Sequence, residues 1–179
     1  MECAFELKVS LSGTDCDANE IVDRLGAAGC DDALVGVGSP GRISLSFVRE
    51  AESAEAAVLS ALADVNRLVP SARLIEVGPD FVGLTDVAEL IGMSRQNIRK
   101  LMLTHATTFP LPVHEGSASI WHLALVLQWL QGKGQYRIPP GVLEVARVAM
   151  SLNIAKEGAL VPSKARSRLC EFMTNMTPA

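Results

Sequence analysis

Leu84-Thr85-Asp86-Val87-Ala88-Glu89-Leu90-Ile91-Gly92-Met93-Ser94-Arg95-Gln96-Asn97-Ile98-Arg99-Lys100-Leu101 carries two apolar stripes at helical spacing, separated by one glycine. Thr85 can cap a first helix whose inner face is Val87, Ala88 and Ile91. Ser94 can cap a second, with Ile98 and Leu101 inward. Gly92 supplies the backbone freedom for the turn between them. Ala88 is small where the second helix must cross closely. A glycine four residues on and a branched aliphatic six beyond that, Gly92 and Ile98, complete helix-turn-helix spacing.

Ser94, Arg95, Gln96, Arg99 and Lys100 fall between these packing positions, so they project from the second helix. They are residue types that bind base edges and phosphates. A helical hairpin with ordinary surface charges is the plain alternative. Against it, no acidic residue occurs between Met93 and Thr104, beside three basic ones, whereas most surface helices mix both signs.

Beyond the hairpin, Phe109-Pro110-Leu111-Pro112-Val113-His114-Glu115-Gly116-Ser117-Ala118-Ser119-Ile120-Trp121 reads as an extended arm, a glycine-containing turn and a return strand. His122 to Gln131 then follows helical periodicity, with Leu123, Val126, Leu127 and Leu130 on one side. Residues 81–131 resemble the winged helix-turn-helix of MerR-like and AlpA or excisionase-like bacterial DNA-binding proteins. The likeness rests on Leu84-Thr85, Ala88-Glu89, Gly92, Ser94-Arg95, Ile98 and Leu101. It continues through Phe109-Pro110, Pro112-Val113, Gly116, Trp121, Val126 and Trp129-Leu130. It implies a recognition helix at 94–103 that enters the major groove through Arg95, Gln96 and Arg99, with the turn near Gly116 on the adjacent backbone. The DNA-binding set it implies is Thr85, Ser94, Arg95, Gln96, Asn97, Arg99, Lys100, His114, Ser117 and Ser119. The turn itself has no permanent positive charge, and Glu115 would oppose phosphate.

The 179 residues, 49% hydrophobic and 20% charged, suffice for two small domains with real cores. No apolar run is long enough to span a membrane, and Met1-Glu2-Cys3-Ala4-Phe5-Glu6 lacks a signal-peptide pattern, so a cytoplasmic protein is expected. Cys3, Cys16, Cys30 and Cys170 form no C-x-x-C pair, and His105, His114 and His122 form no spaced ligand set. Neither disulfides, metal nor cofactor is expected.

Net charge of −4 looks wrong for a DNA binder until it is divided. Residues 1–80 hold 6 Lys and Arg against 14 Asp and Glu, whereas residues 81–137 and 138–179 each hold 5 against 3. An acidic first half joined to a mildly basic second half suits DNA contact at one end. So small a positive balance predicts weak binding by one subunit, and dimerisation is the natural remedy.

Residues 1–78 read as strand, helix, strand, strand, helix, strand. The strands are Phe5–Leu11, Ala33–Val37, Ile43–Phe47 and Ala72–Val77. The helices are Asp17–Ala28, with Ile21, Val22 and Leu25 inward, and Ser53–Leu68, with Ala57, Val58, Ala61, Leu62 and Val65 inward. Gly38-Ser39-Pro40-Gly41-Arg42 marks a hairpin. The order predicts an antiparallel sheet covered on one face by helices, as in the ferredoxin-like βαββαβ fold, giving α+β overall. Such a fold does not fix function. Gly36, Gly38 and Gly41 read as hairpin glycines rather than a phosphate loop. Asp15, Asp17, Asp31 and Asp32 read as loop and capping carboxylates rather than an acid pair or metal site. The open sheet face or its edge is a candidate dimer or docking surface.

Gly78-Pro79-Asp80 is a short joint. Residues 139–158 predict a helix with a wide apolar face, as core or, from the MerR-like resemblance, dimer contact. Residues 162–179 read as a polar tail, able to touch DNA or a partner. Two functions follow. One is a dimeric, sequence-specific transcriptional regulator. The other is an antitoxin or protein-binding regulator that neutralises a basic partner through its acidic domain or C-terminal segment. Nothing in the motifs supports an enzyme.

Overall fold

The computed structural model describes residues 1–12, 18–28, 30 and 32–176. Asp15, Cys16, Asp17, Gly29 and Asp31 lie outside these residues, as does the start expected for the first helix. In chain order the first half comprises β1 (Glu2–Ser10), α1 (Ala18–Ala27), β2 (Ala33–Val37), β3 (Arg42–Glu50), α2 (Ala54–Leu68) and β4 (Arg73–Gly78). Alternation sets the faces of the strands. Cys3, Phe5, Leu7 and Val9 of β1 and Ile43, Leu45 and Phe47 of β3 are buried. Phe5 lies opposite Phe47 and Leu7 opposite Leu45 in the antiparallel register. The two Phe rings stack with centroids 5.2 Å apart. Burial of each such side chain contributes about 1.5–3 kcal/mol.

The sheet order is β2-β3-β1-β4, with every neighbouring pair antiparallel. Ile21 and Leu25 of α1 and Ala54, Ala57, Val58, Ala61 and Val65 of α2 cover the apolar face. Val22, expected inward, is exposed: a ten-residue helix on a sheet buries a narrow stripe that Ile21 and Leu25 already fill. Ser53 caps α2, accepting from the Ala56 N–H at 3.1 Å. Arg49 bridges the sheet to α2: its Nε lies 2.5 Å from Asp32 and its Nη1 3.0 Å from Asp64.

The second half comprises β5 (Phe81–Val82), α3 (Leu84–Leu90), α4 (Arg95–Thr104), β6 (Trp121–His122), α5 (Leu123–Lys133), α6 (Val142–Gly158) and α7 (Ser163–Met176). Its core gathers Val87, Ala88, Ile98, Phe109, Trp121, Leu123, Val126, Leu127 and Leu130.

Helix α6 belongs to both cores. Val145 and Ala149 pack into the first, and Leu143 and Ala146 into the second. The wide apolar face expected over 139–158 is therefore used within the chain. Polar side chains of the same helix reach β4. Asn153 accepts from the Val77 N–H and donates to the Val77 carbonyl, each at 2.9 Å, and Lys156 donates to the Ile75 carbonyl at 2.6 Å.

The expected polar tail at 162–179 is instead helical through Met176. Ala, Arg, Leu and Met are good helix formers, and the Pro162 carbonyl accepts from the Ala165 and Arg166 N–H groups. The Arg166 guanidinium turns back to the Gly158 and Val161 carbonyls, tying α7 to the end of α6. Leu169 and Phe172 stay exposed on it. No helix among the described residues is long and apolar enough to cross a membrane.

Candidate nucleic-acid interface

Two local signals shape the turn between α3 and α4. Gly92 adopts φ +69°, the left-handed conformation that ends a helix, and the Met93 N–H donates to the Ala88 carbonyl at 2.8 Å across it. Ser94 then caps α4, its Oγ accepting from the Asn97 N–H at 3.2 Å. Val87 and Ala88 on one helix and Ile98 on the other are buried where the pair cross. Thr85 does not cap α3. Gly83 holds that position, its N–H donating to the Asp86 carboxylate at 2.7 Å, so Thr85 sits exposed in the first turn.

With Ile98 anchoring α4 inward, Arg95, Gln96, Asn97, Arg99 and Lys100 are all exposed. Gln96, Arg99, Lys100, Leu103 and Thr104 line one shallow face of the helix. Among the described residues, Arg95, Arg99 and Lys100 make no ion pair. Their charge is consequently available to an anion. The Ser94 hydroxyl is partly engaged by its capping bond.

The segment after α4 folds back as a short hairpin. The Val113 N–H donates to the Ile120 carbonyl at 2.7 Å, and the Ile120 N–H to the His114 carbonyl at 3.0 Å. His114, Glu115 and Ser117 are exposed and Ser119 half-buried. His114 lies over Gly116: a Cβ there would come within 2.7 Å of the imidazole Nε2, so this site admits no side chain without moving the ring. Glu115 and Ser119 share a cleft with Leu103 of α4, which sets the hairpin beside the far end of the helix. The structure thus gathers Gln96, Arg99 and Lys100 on one face, and places Ser119 next to it. Thr85, His114 and Ser117 are exposed but line neither feature.

Aromatic contacts fix this arrangement. The Trp121 indole N–H donates to the Pro110 carbonyl at 3.1 Å, and Phe109 meets Trp129 edge-on at 5.1 Å. Lys133 lies over the Trp129 ring at 4.7 Å. The return strand pairs with a partner that sequence reasoning missed. Phe81 lies opposite His122 and Val82 opposite Trp121. Beneath that pair, the main-chain carbonyl of buried Asp80 accepts from the Leu123 N–H at 2.7 Å; one of its carboxylate oxygens accepts from the Asn153 amide and the other lies 2.7 Å from His122 Nδ1. Asp80 was legible only as the end of a linker. Its bond to Asn153 adds a polar tie to the packing of Leu143 and Ala146 that joins the second half to α6.

The three cations on an acid-free helix, seated on an aromatic base, mark one compact unit. Residues 80–133 match the family model of the prophage CP4-57 regulatory protein, AlpA. That span starts at Asp80 and ends with α5, so it coincides with the α3–α4 pair, the hairpin and their aromatic support. The match supports an AlpA-like DNA-binding domain in a regulatory protein. No curated protein and no solved structure matches the chain. Among the described residues there is no cluster of three or more His, Cys, Asp or Glu able to hold a metal ion.

Proposed function

We propose that this protein is a sequence-specific DNA-binding transcriptional regulator that acts as a dimer, with α4 as the recognition helix of a winged helix-turn-helix. The observation that carries the reading is the exposed, unpaired set Arg95, Arg99 and Lys100 on a helix without acidic residues, inside the AlpA-like span. Arg95, Gln96 and Arg99 read base edges in the major groove, while Lys100 and Ser94 hold phosphates. The 113–120 hairpin serves as the wing, its Ser117 and Ser119 hydroxyls and backbone amides meeting the adjacent strand with His114 alongside. Asn97 and Thr85 sit at the helix starts, within range of the backbone once α4 is docked.

The βαββαβ half, read as a ferredoxin-like module, points its acidic surface away from phosphate and supplies the dimer contact. This role is binding rather than catalysis, and it places the protein with the chromosome in the cytoplasm. Selection of bound fragments from the source genome at stated salt tests it. Enrichment of one inverted-repeat sequence supports the reading, and recovery of no salt-sensitive fragment opposes it.

A further inference from the structure

The two edges of the main sheet are treated differently. Along β4, the outward N–H and C=O of Val77 are both taken by the Asn153 carboxamide, and the Ile75 carbonyl by Lys156. A primary amide there imitates the neighbouring strand and blocks the edge. The β2 edge has no such cover among the described residues. The Val48 N–H donates to the Asp32 carbonyl and the Gly38 N–H to the Arg42 carbonyl, so even-numbered residues of β2 bond to β3. The N–H and C=O of Val35 and Val37 therefore face outward, as does the Ala33 carbonyl. The Ala33 N–H is occupied by the Cys30 carbonyl at 3.4 Å.

The usual protections of a bare edge are missing as well. No Asp, Glu, Lys or Arg occurs from Ala33 through Gly41, within a first half that carries 14 acidic residues. The strand has no proline or bulge, and Leu34 and Val37 are 76% and 72% exposed. An uncharged strip in an acidic domain is where two copies can approach without repulsion.

We infer that the β2 edge pairs antiparallel with the β2 edge of a second copy, about a two-fold axis at Val35. This rests on the dimeric reading above and names its surface. In that register Val35 exchanges N–H and C=O with its mate, and each Val37 N–H reaches the other copy's Ala33 carbonyl. Leu34 then falls across from Gly36 of the second copy, so a large exposed side chain meets a position with none. The two sheets join into one, with a DNA-binding unit on each copy. A five-residue strand pair is a small interface, so duplex carrying two half-sites should strengthen the dimer.

Sedimentation equilibrium of the full chain over a concentration series, with and without a selected duplex, tests this. Leu34→Glu changes an exposed side chain. Gly36→Lys is sterically permitted, because a Cβ there meets only Ser44 at 3.7 Å and the backbone is not left-handed. Circular dichroism checks that both variants fold. Each alone should raise the dimer dissociation constant roughly tenfold or more by placing a charge on the shared edge. Combined in one chain, they bring opposite charges across the axis and should restore association.

A dimer indifferent to all these changes places the contact elsewhere and overturns the inference, while leaving DNA binding intact. A wild-type chain that stays monomeric both free and on duplex overturns it too, as does a basic protein found occupying this edge instead. Loss of duplex binding with a β2-dependent dimer retained would instead defeat the DNA reading and leave the edge contact standing.

Discussion

Asn153 of α6 binds both backbone groups of Val77 on β4, its Oδ1 accepting from the N–H and its Nδ2 donating to the carbonyl, each at 2.9 Å. The same Nδ2 reaches the Asp80 carboxylate at 2.8 Å. One side chain thus closes a sheet edge and pins the end of the linker to α6. Asn153→Ala strands those buried groups without partners and should cost about 2–4 kcal/mol of stability in urea unfolding. A loss below about 0.5 kcal/mol would mean that water replaces the amide freely.

The α3–α4 turn depends on two small residues. Ser94→Ala removes the cap of α4 and should cost about 1 kcal/mol. Gly92→Ala forces a side chain into the left-handed conformation and should cost about 1–2 kcal/mol. Thr85→Ala should be nearly silent for stability, since Gly83 and Asp86 organise that helix start. Thermal unfolding of the three variants checks the ranking.

Acid sensitivity should report the Arg49 bridge. Burial raises the Asp64 carboxyl, but hydrogen bonds from Arg67 and Arg49 outweigh it and hold the group below its ordinary value. The unfolded chain therefore binds the proton more readily. The stabilising contribution is present above about pH 4 and is lost as pH falls through the lower folded-state value. Asp64→Asn should flatten stability against pH below about 4, and an unchanged acid limb would assign the sensitivity to other carboxylates.

Recognition and backbone contacts should separate in binding. Arg95→Ala should weaken the selected sequence by about 1–3 kcal/mol while sparing random duplex, if it reads a guanine. Lys100→Ala should weaken all sequences alike and lower the salt slope by about 1. Identical profiles for the two variants would contradict the division of labour.

Much of this was legible because its causes are local. Alternation in Phe5–Leu11 and Ile43–Phe47 marks strands wherever they pair, and Ala88, Gly92, Ser94 and Ile98 specify a helix pair within a dozen residues. The boundaries of β2 and the cap at Ser94 follow from such neighbours. What escaped depends on distant partners. Asn153 meets a strand far back in the chain, so its spacing says nothing of the contact. Phe81–Val82 is too short to show alternation and becomes a strand only because Trp121–His122 lies beside it. In α7, alternating cations read as a tail, although the intervening residues favour a helix. The outward set on α4 was readable from the anchor at Ile98. Whether its cations are neutralised by neighbours depends on the tertiary fold, not on local spacing.

Docking of the α4 cations in a DNA groove is the centre of the proposed function. Its most direct test is the salt dependence of duplex binding by the 179-residue chain, wild type against an Arg95→Ala, Arg99→Ala, Lys100→Ala triple variant whose folding is verified by circular dichroism. Steep salt-sensitive binding by the wild type, and its loss with a flattened slope in the triple variant, is the predicted result. Equal affinity and equal slope for the two proteins would contradict it.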